Sequence, residues 1–306
     1  MESMFAIIAK ELGVKTGQVE AAVTLLDEGN TVPFIARYRK EVTGELQDEQ
    51  LRTVDERIKY LRNLETRRQE IINAITEQDK MTDELMASLM KAVKLQELED
   101  LYLPYRPKKR TRAMIARERG LEPLADMILN DTVTSGNPLD IAKEYISEEV
   151  PTPEDAIQGA SDIVAEIVSD SADFRATLRK RMWKEGFIQA ELVEDNEHKD
   201  QFLQYNEYAE PVRQMPSHRI LAVNRGEKLG ALKLALTVPD ESYIQYMVRG
   251  ITKNEQSIFS DVKASAVADA YKRLMFPALE RDIRNELTES ADEQAIKVFG
   301  VNLKNL

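Results

Sequence analysis

Apolar residues recur at intervals of three and four along most of this chain, the period of helices that bury one face. Between residues 4 and 12, Phe5, Ile8 and Leu12 keep that spacing, and Gly13 stands just past the end, where a helix commonly closes with a left-handed residue. Thr16 is suited to cap a second helix with Val19, Ala22, Val23 and Leu26 on one face, stopped by Gly29-Asn30. Pro33 opens a third short helix at a position where its missing N–H costs nothing. Three short helices with tight turns predict a helix-turn-helix-like bundle within about residues 1–45.

A longer helix follows over about 48–78. Leu51, Val54, Ile58, Leu61, Ile71, Ile72 and Ile75 form its apolar face, and a run of Arg, Lys and Glu forms a solvated one. A return helix over 82–96 starts at a Thr82 cap and points Leu85, Leu89 and Val93 inward, which makes a helical hairpin. The stretch 97–107, with Pro104 and Pro107, cannot continue as one regular helix. Helices resume over 121–130, 140–149, 155–169 and 171–185, the last ending at Gly186.

The texture then changes. Arg219-Ile-Leu-Ala-Val223 has the composition of a strand, Asn224 to Gly230 supplies turn residues, and 232–238 alternates, so a small β-hairpin is expected over about 218–238. A long helix over 259–286 contains Pro277, which predicts a kink or break. A short amphipathic helix over 291–306 carries Val298, Phe299, Val301, Leu303 and Leu306, an apolar face that either docks on this chain or is covered by a following domain. The expected fold class is mainly α: a multi-helical domain over 1–190, then a region over 191–306 holding the hairpin and the long helix.

Composition narrows the chemistry. The chain has 306 residues, 42% hydrophobic and 31% charged, and no cysteine, which excludes disulfides and thiolate metal sites. No stretch reaches the roughly 20 apolar residues of a membrane helix, and the N-terminus lacks the plan of a signal peptide, so a cytoplasmic setting without membrane contact is expected. The two histidines, His198 and His218, have no partner at metal-ligand spacing, and His218 begins the expected strand. There is no Gly-Lys-Ser/Thr after a glycine-rich turn and no Gly-x-Ser-x-Gly. Neither a metal nor a cofactor nor an enzymatic activity is expected.

A net charge of −12 argues against a protein coated in positive charge, which makes local cation clusters more telling. Residues 31–40 hold Arg37, Arg39 and Lys40 without an acid, beside Phe34 and Tyr38, one turn apart and read as a packed face. Arg37 either pairs with acids of the bundle or meets phosphates. Residues 105–112 hold Arg106, Lys108, Lys109, Arg110 and Arg112, with Arg117 and Arg119 soon after. This run either binds phosphates or docks on an acidic face. Tyr102 and Tyr105 beside it could stack on bases, but Leu101 and Leu103 suggest anchoring to the core.

Three segments carry a resemblance: Thr31-Val-Pro-Phe-Ile-Ala-Arg-Tyr-Arg-Lys-Glu41 with Thr43-Gly44; Asp100-Leu-Tyr-Leu-Pro-Tyr-Arg-Pro-Lys-Lys-Arg-Thr-Arg112 continued by Ala116 to Ala125; and Pro216-Ser-His-Arg-Ile-Leu-Ala-Val-Asn-Arg-Gly-Glu-Lys228. In this order they resemble the N-terminal part of the Tex family of bacterial transcription accessory proteins. The resemblance spans essentially the whole chain. It implies a nucleic-acid-associated scaffold, usually followed by an RNase-H-like (YqgF-type) domain, helix-hairpin-helix modules and an S1 domain. It also implies partners: RNA or DNA, weakly bound by this region, RNA polymerase, and the protein's own C-terminal domains. A following domain of this kind would cover the apolar end.

Overall fold

The computed structural model describes residues 3–304, without the side chains of 297, 299 and 301–304. The chain divides into two compact units, Met1–Tyr105 and Arg106–Leu306. The fold is mainly helical, with one small sheet.

In the first unit, α1 (Met4–Leu12) is closed by Gly13 at φ +66°. α2 (Thr16–Asp27) begins one residue earlier than a Thr16 cap would allow. Lys15 takes the cap position, because the Gln18 side chain accepts its N–H at 3.0 Å. α3 (Val32–Tyr38) has Pro33 in its first turn, as expected. All three pack on α4 (Asp48–Thr76). Its buried residues Leu51, Val54, Ile58, Leu61, Ile71 and Ile75 meet Ile8, Val19, Val23 and Ile35 in one core. Two-pronged ion pairs, Arg57 to Glu11 and Arg62 to Asp27, fasten α4 to α1 and α2.

α5 (Asp83–Lys91) has the expected Thr82 cap, but it is shorter than the return helix read from the sequence. The buried Arg68 guanidinium donates to the Ala92 carbonyl at 3.0 Å and the Glu97 carboxylate accepts the Val93 N–H at 2.8 Å. The chain therefore turns at 92–94, and Val93 points to solvent at 68% exposure instead of inward. The expected break at 97 is displaced. α6 (Leu95–Tyr102) runs on to a short 3₁₀ turn over Leu103–Tyr105, at Pro104.

The second unit opens with α7 (Arg112–Glu118), which the apolar period did not reveal, and α8 (Glu122–Asn130). The helix expected over 140–149 is only α9 (Pro138–Ala142) and a 3₁₀ turn over Lys143–Tyr145, followed by a tight bridge between Ser147 and Val150. α10 (Pro153–Ser169) and α11 (Ala172–Glu185) match expectation, with Ser171 capping and Gly186 closing α11. α10 is central: α7, α8 and α9 all pack on it.

The β element differs from the expected hairpin. β1 (Phe187–Leu192) is the middle strand of a three-stranded antiparallel sheet, between β2 (Tyr208–Pro211) and β3 (Leu232–Thr237). Residues read as its first strand form α12 (Ser217–Lys228). Ile220, Val223 and Gly226 face the core at helical spacing, and a Cβ on Gly226 would lie 2.5 Å from Leu232, so the helix seats closely on the sheet. His218 is therefore in the first turn of a helix, exposed.

α13 (Asp240–Ile251) and α14 (Ser260–Asp269) follow, and α14 also packs on α10. A π turn over Ala270–Met275 then leads into α15 (Phe276–Lys304). The irregularity expected at Pro277 takes this form. Pro277 has no N–H, its ring crowds the carbonyl four residues back, and the Phe276 N–H reaches five residues back to Tyr271. The short helix expected over 291–306 is, as far as Lys304, the continuation of α15. Ile296 and Val298 are exposed, while Phe299, Val301, Leu303 and Leu306 fall outside the described side chains.

One buried ion pair crosses this core. Lys263 on α14 meets Asp131 at 2.6 Å, each side chain 1% exposed. Asp131 also accepts the backbone N–H of Lys253 at 2.7 Å, and Lys263 donates to the Leu129 carbonyl at 3.1 Å, so neither charge lacks partners. Burial works against the Asp131 carboxylate, yet the Lys263 and backbone hydrogen bonds outweigh it and hold the group below its ordinary range.

Candidate nucleic-acid interface

The first candidate surface is built by α3 and the turn after it. Ile35 faces the core and is fully buried, which turns Phe34 and Tyr38 outward at 36% and 55% exposure. The sequence reading of these rings as a packed face is therefore incorrect. Their centroids lie 5.3 Å apart, tilted by 48°. The Arg39 guanidinium stands 5.3 Å from the Phe34 ring and that of Arg37 stands 6.0 Å from the Tyr38 ring. Arg37, Arg39 and Lys40 are exposed, and among the described residues none of them makes an ion pair. The expectation that Arg37 pairs with acids of the bundle is not met.

The turn is fixed from beneath. Thr43 is fully buried, and its hydroxyl donates to the Lys40 carbonyl at 3.2 Å. The Gln18 amide donates to the Gly44 carbonyl at 2.6 Å, so one side chain both caps α2 and pins this turn. Gly44 sits at φ +62° with the Gln18 amide where a Cβ would go, 2.9 Å away, which makes glycine the fitting residue.

The second surface is the basic run that begins the second unit. Its cations divide into docked and open ones. Lys108 is docked: it pairs with Asp170, and Glu166 lies 3.8 Å away. Thr111, which caps α7, also donates to Glu166, at 2.8 Å, as does Arg117 at 2.8 Å. Arg110 pairs with Glu118 at 3.0 Å, both exposed. Arg106, Lys109 and Arg112 are exposed and make no ion pair among the described residues. The docking reading thus holds for Lys108, while Arg106, Lys109 and Arg112 are left open. Tyr102 is buried in the core of the first unit and is not available for stacking.

The acids that receive this run, Glu166 and Asp170, were not singled out in the sequence. With Asp162, which pairs with Arg273 at 3.6 Å, they lie at i, i+4 and i+8 along one face of α10 and its C-cap. The signal was legible as that spacing within a helix otherwise rich in Ile, Val and Ala. Burial raises all three, but hydrogen bonds from Arg117 and Thr111 and the charge of Lys108 bring Glu166 below its ordinary range. Burial prevails at Asp170 despite the Lys108 hydrogen bond, and at Asp162 despite the charges of Arg273 and Arg112; both stand above their ordinary range.

Among the described residues, no three His, Cys, Asp or Glu side chains group as metal ligands do. No described helix is long and apolar enough to cross a membrane.

Residues 134–299 match the family described as Tex central region-like, and residues 2–76 match that described as Tex-like protein N-terminal domain. This chain belongs to the Tex family. Among its relatives, the transcriptional accessory protein Tex of Neisseria gonorrhoeae is 43% identical over 98% of this chain and 40% of its own length. The protein YhgF of Escherichia coli K12 is 41% identical over 100% of this chain and 41% of its own length. The human S1 RNA-binding domain-containing protein 1 is 27% identical over 99% of this chain and 32% of its own length. The chain thus spans about 40% of the length of its bacterial relatives. The α3 surface lies inside the first matched segment, whereas the basic run at 106–112 falls between the two.

Proposed function

We propose that this chain is the N-terminal scaffold of a cytoplasmic transcription accessory protein and that it contacts RNA or DNA weakly, largely without regard to sequence. The observation that carries the proposal is the set of six open cations on a chain of net charge −12: Arg37, Arg39 and Lys40 in one unit, Arg106, Lys109 and Arg112 in the other. Exposed cations without carboxylate partners are the usual contacts to phosphate oxygens, which position a nucleic acid without reading its bases. The order of α2, a short turn at Gly29 and α3 is that of a helix-turn-helix. The names of the gonococcal and human relatives point the same way. No catalytic role is proposed for any residue of the chain.

Anisotropy titrations with labelled RNA and DNA across a salt series test this. The logarithm of affinity should fall linearly with the logarithm of salt, by about 0.7 per phosphate contact on single strands. Changing the six open cations to Glu should abolish binding. Binding that ignores both salt and these changes sinks the proposal.

A second reading is favoured by the docking of Lys108 on α10: cations of this run accept carboxylate partners. In that reading the open cations contact RNA polymerase or the protein's own later domains. It predicts that the same six changes leave nucleic-acid affinity intact and abolish binding to the protein partner.

A further inference from the structure

Resting on the proposed nucleic-acid role, we infer that the outward face of α3 is a stacking site for unpaired bases, with Tyr38 as its principal ring, and that it selects single strands over duplex. The side chains of this face are unusual for a groove reader. Of Val32-Pro-Phe-Ile-Ala-Arg-Tyr38, only Arg37 has the donors to bond a base edge strongly, and no Asn or Gln is present. What the face offers instead is aromatic area beside positive charge. Tyr38 is more than half exposed, Phe34 lies 5.3 Å from it, and the planar Arg39 guanidinium lies 5.3 Å from Phe34. Rings on which bases stack, flanked by cations that follow the backbone, are how proteins hold single strands without sequence preference. A duplex keeps its base faces stacked on one another and offers only phosphates to such a surface.

Charge and rigidity both favour this occupant over an apolar protein segment. No acid lies within residues 31–40, and the three cations there make no ion pair among the described residues. The Arg39 guanidinium is held on the Tyr38 carbonyl at 3.0 Å, and the buried Thr43 and the Gln18 amide fix the turn that carries Lys40. The rings and charges are therefore arranged before any ligand arrives, which lowers the ordering that binding requires.

The test uses the whole chain with three probes: a single-stranded oligonucleotide, the same strand made abasic, and a duplex of the same length, at one salt concentration. Tyr38→Ala should weaken the base-bearing strand about tenfold, and leave the abasic strand and the duplex within about twofold. Tyr38→Phe should restore the affinity and Tyr38→Leu should not, which separates an aromatic ring from mere apolar area in a folded protein. Tyr38→Trp should be quenched by the base-bearing strand and not by the abasic one, read against the parent chain, whose one tryptophan is Trp183. Equal weakening of all three probes, or salt-dependent binding indifferent to Tyr38, overturns this inference while leaving the phosphate contacts in place. The absence of any salt-dependent binding overturns both.

Discussion

The two basic segments reverse their apparent order once they are folded. By count, residues 105–112 outweigh residues 31–40, five cations against three. In the structure Lys108 and Arg110 have carboxylate partners, while Arg37, Arg39 and Lys40 have none among the described residues. Each segment thus presents three open charges. Only the α3 segment adds exposed rings, at Phe34 and Tyr38. A run of positive charge in a sequence measures what is present, and its neighbours decide how much of it remains for a ligand. A cation seated on a buried acid holds the fold, whereas an open one is free for phosphate.

The comparison can be broken most severely at Lys263, the extreme of a docked cation. Lys263→Met leaves Asp131 buried without its partner and should lower stability by about 3–5 kcal/mol in a denaturant titration. A loss below about 1 kcal/mol would mean that this pair does not hold α14 in place. Lys108→Ala should cost about 1–3 kcal/mol, because Asp170 and Glu166 lose a partner in a half-buried site. If it reduces nucleic-acid affinity more than stability, Lys108 belongs with the open cations after all.

Next comes the pH response of the docked segment. Glu166 is held below its ordinary value of 4.5, so its contribution is complete above that value and is lost as pH falls through the lowered one. The stability difference between the parent and Glu166→Gln should therefore shrink as pH is taken from about 5 to about 3. A difference that is flat or grows on acidification contradicts the arrangement of Arg117, Thr111 and Lys108 around Glu166. The smallest change in stability is expected for Arg37→Ala/Arg39→Ala/Lys40→Ala, within about 0.5 kcal/mol, since exposed side chains without ion pairs contribute little. The same triple change should flatten the salt slope on single strands by about 2. An unchanged slope would remove the α3 surface from the interface.

Helices with a clean apolar period were legible almost to the residue. α1, α4 and α10 follow their apolar spacing, α11 runs up to Gly186 as expected, and Ser171 and Thr82 cap where short polar side chains precede a helix. The failures have physical causes. Residues 219–223 have strand-like composition, but Ile220, Val223 and Gly226 meet the core at helical spacing, and tertiary contact overrode local preference. β1 alternates with Ile188 and Ala190 inward, a signal obscured by its position directly after a long helix. At the candidate interface, the cations were legible as residue types. Their partners were not, because Lys108 and Asp170 are brought together by packing over a separation of 62 residues. The outward turn of Phe34 and Tyr38 was equally hidden, since it depends on Ile35 taking the inward position.

The π turn at Ala270–Met275 sets the angular phase of everything after it. Tyr271, Met275, Leu279, Ile283, Leu287 and Ala291 are buried at every fourth position. In a helix of 3.6 residues per turn that spacing advances about 40° at each step, so the buried line winds around the helix instead of running along one side. The elements seated on α15, α11 and α12 among them, therefore meet it from different directions. The wide turn holds one residue more than an α turn, so the loss of one residue there lets it close to an ordinary turn with the helix beyond it in nearly the same phase. One residue gained has no such outlet: it would rotate the helix beyond by about 100° and turn Leu279 and Ile283 toward water. The segment should therefore tolerate the loss of a residue far better than a gain, which would misalign the remaining helix as a unit.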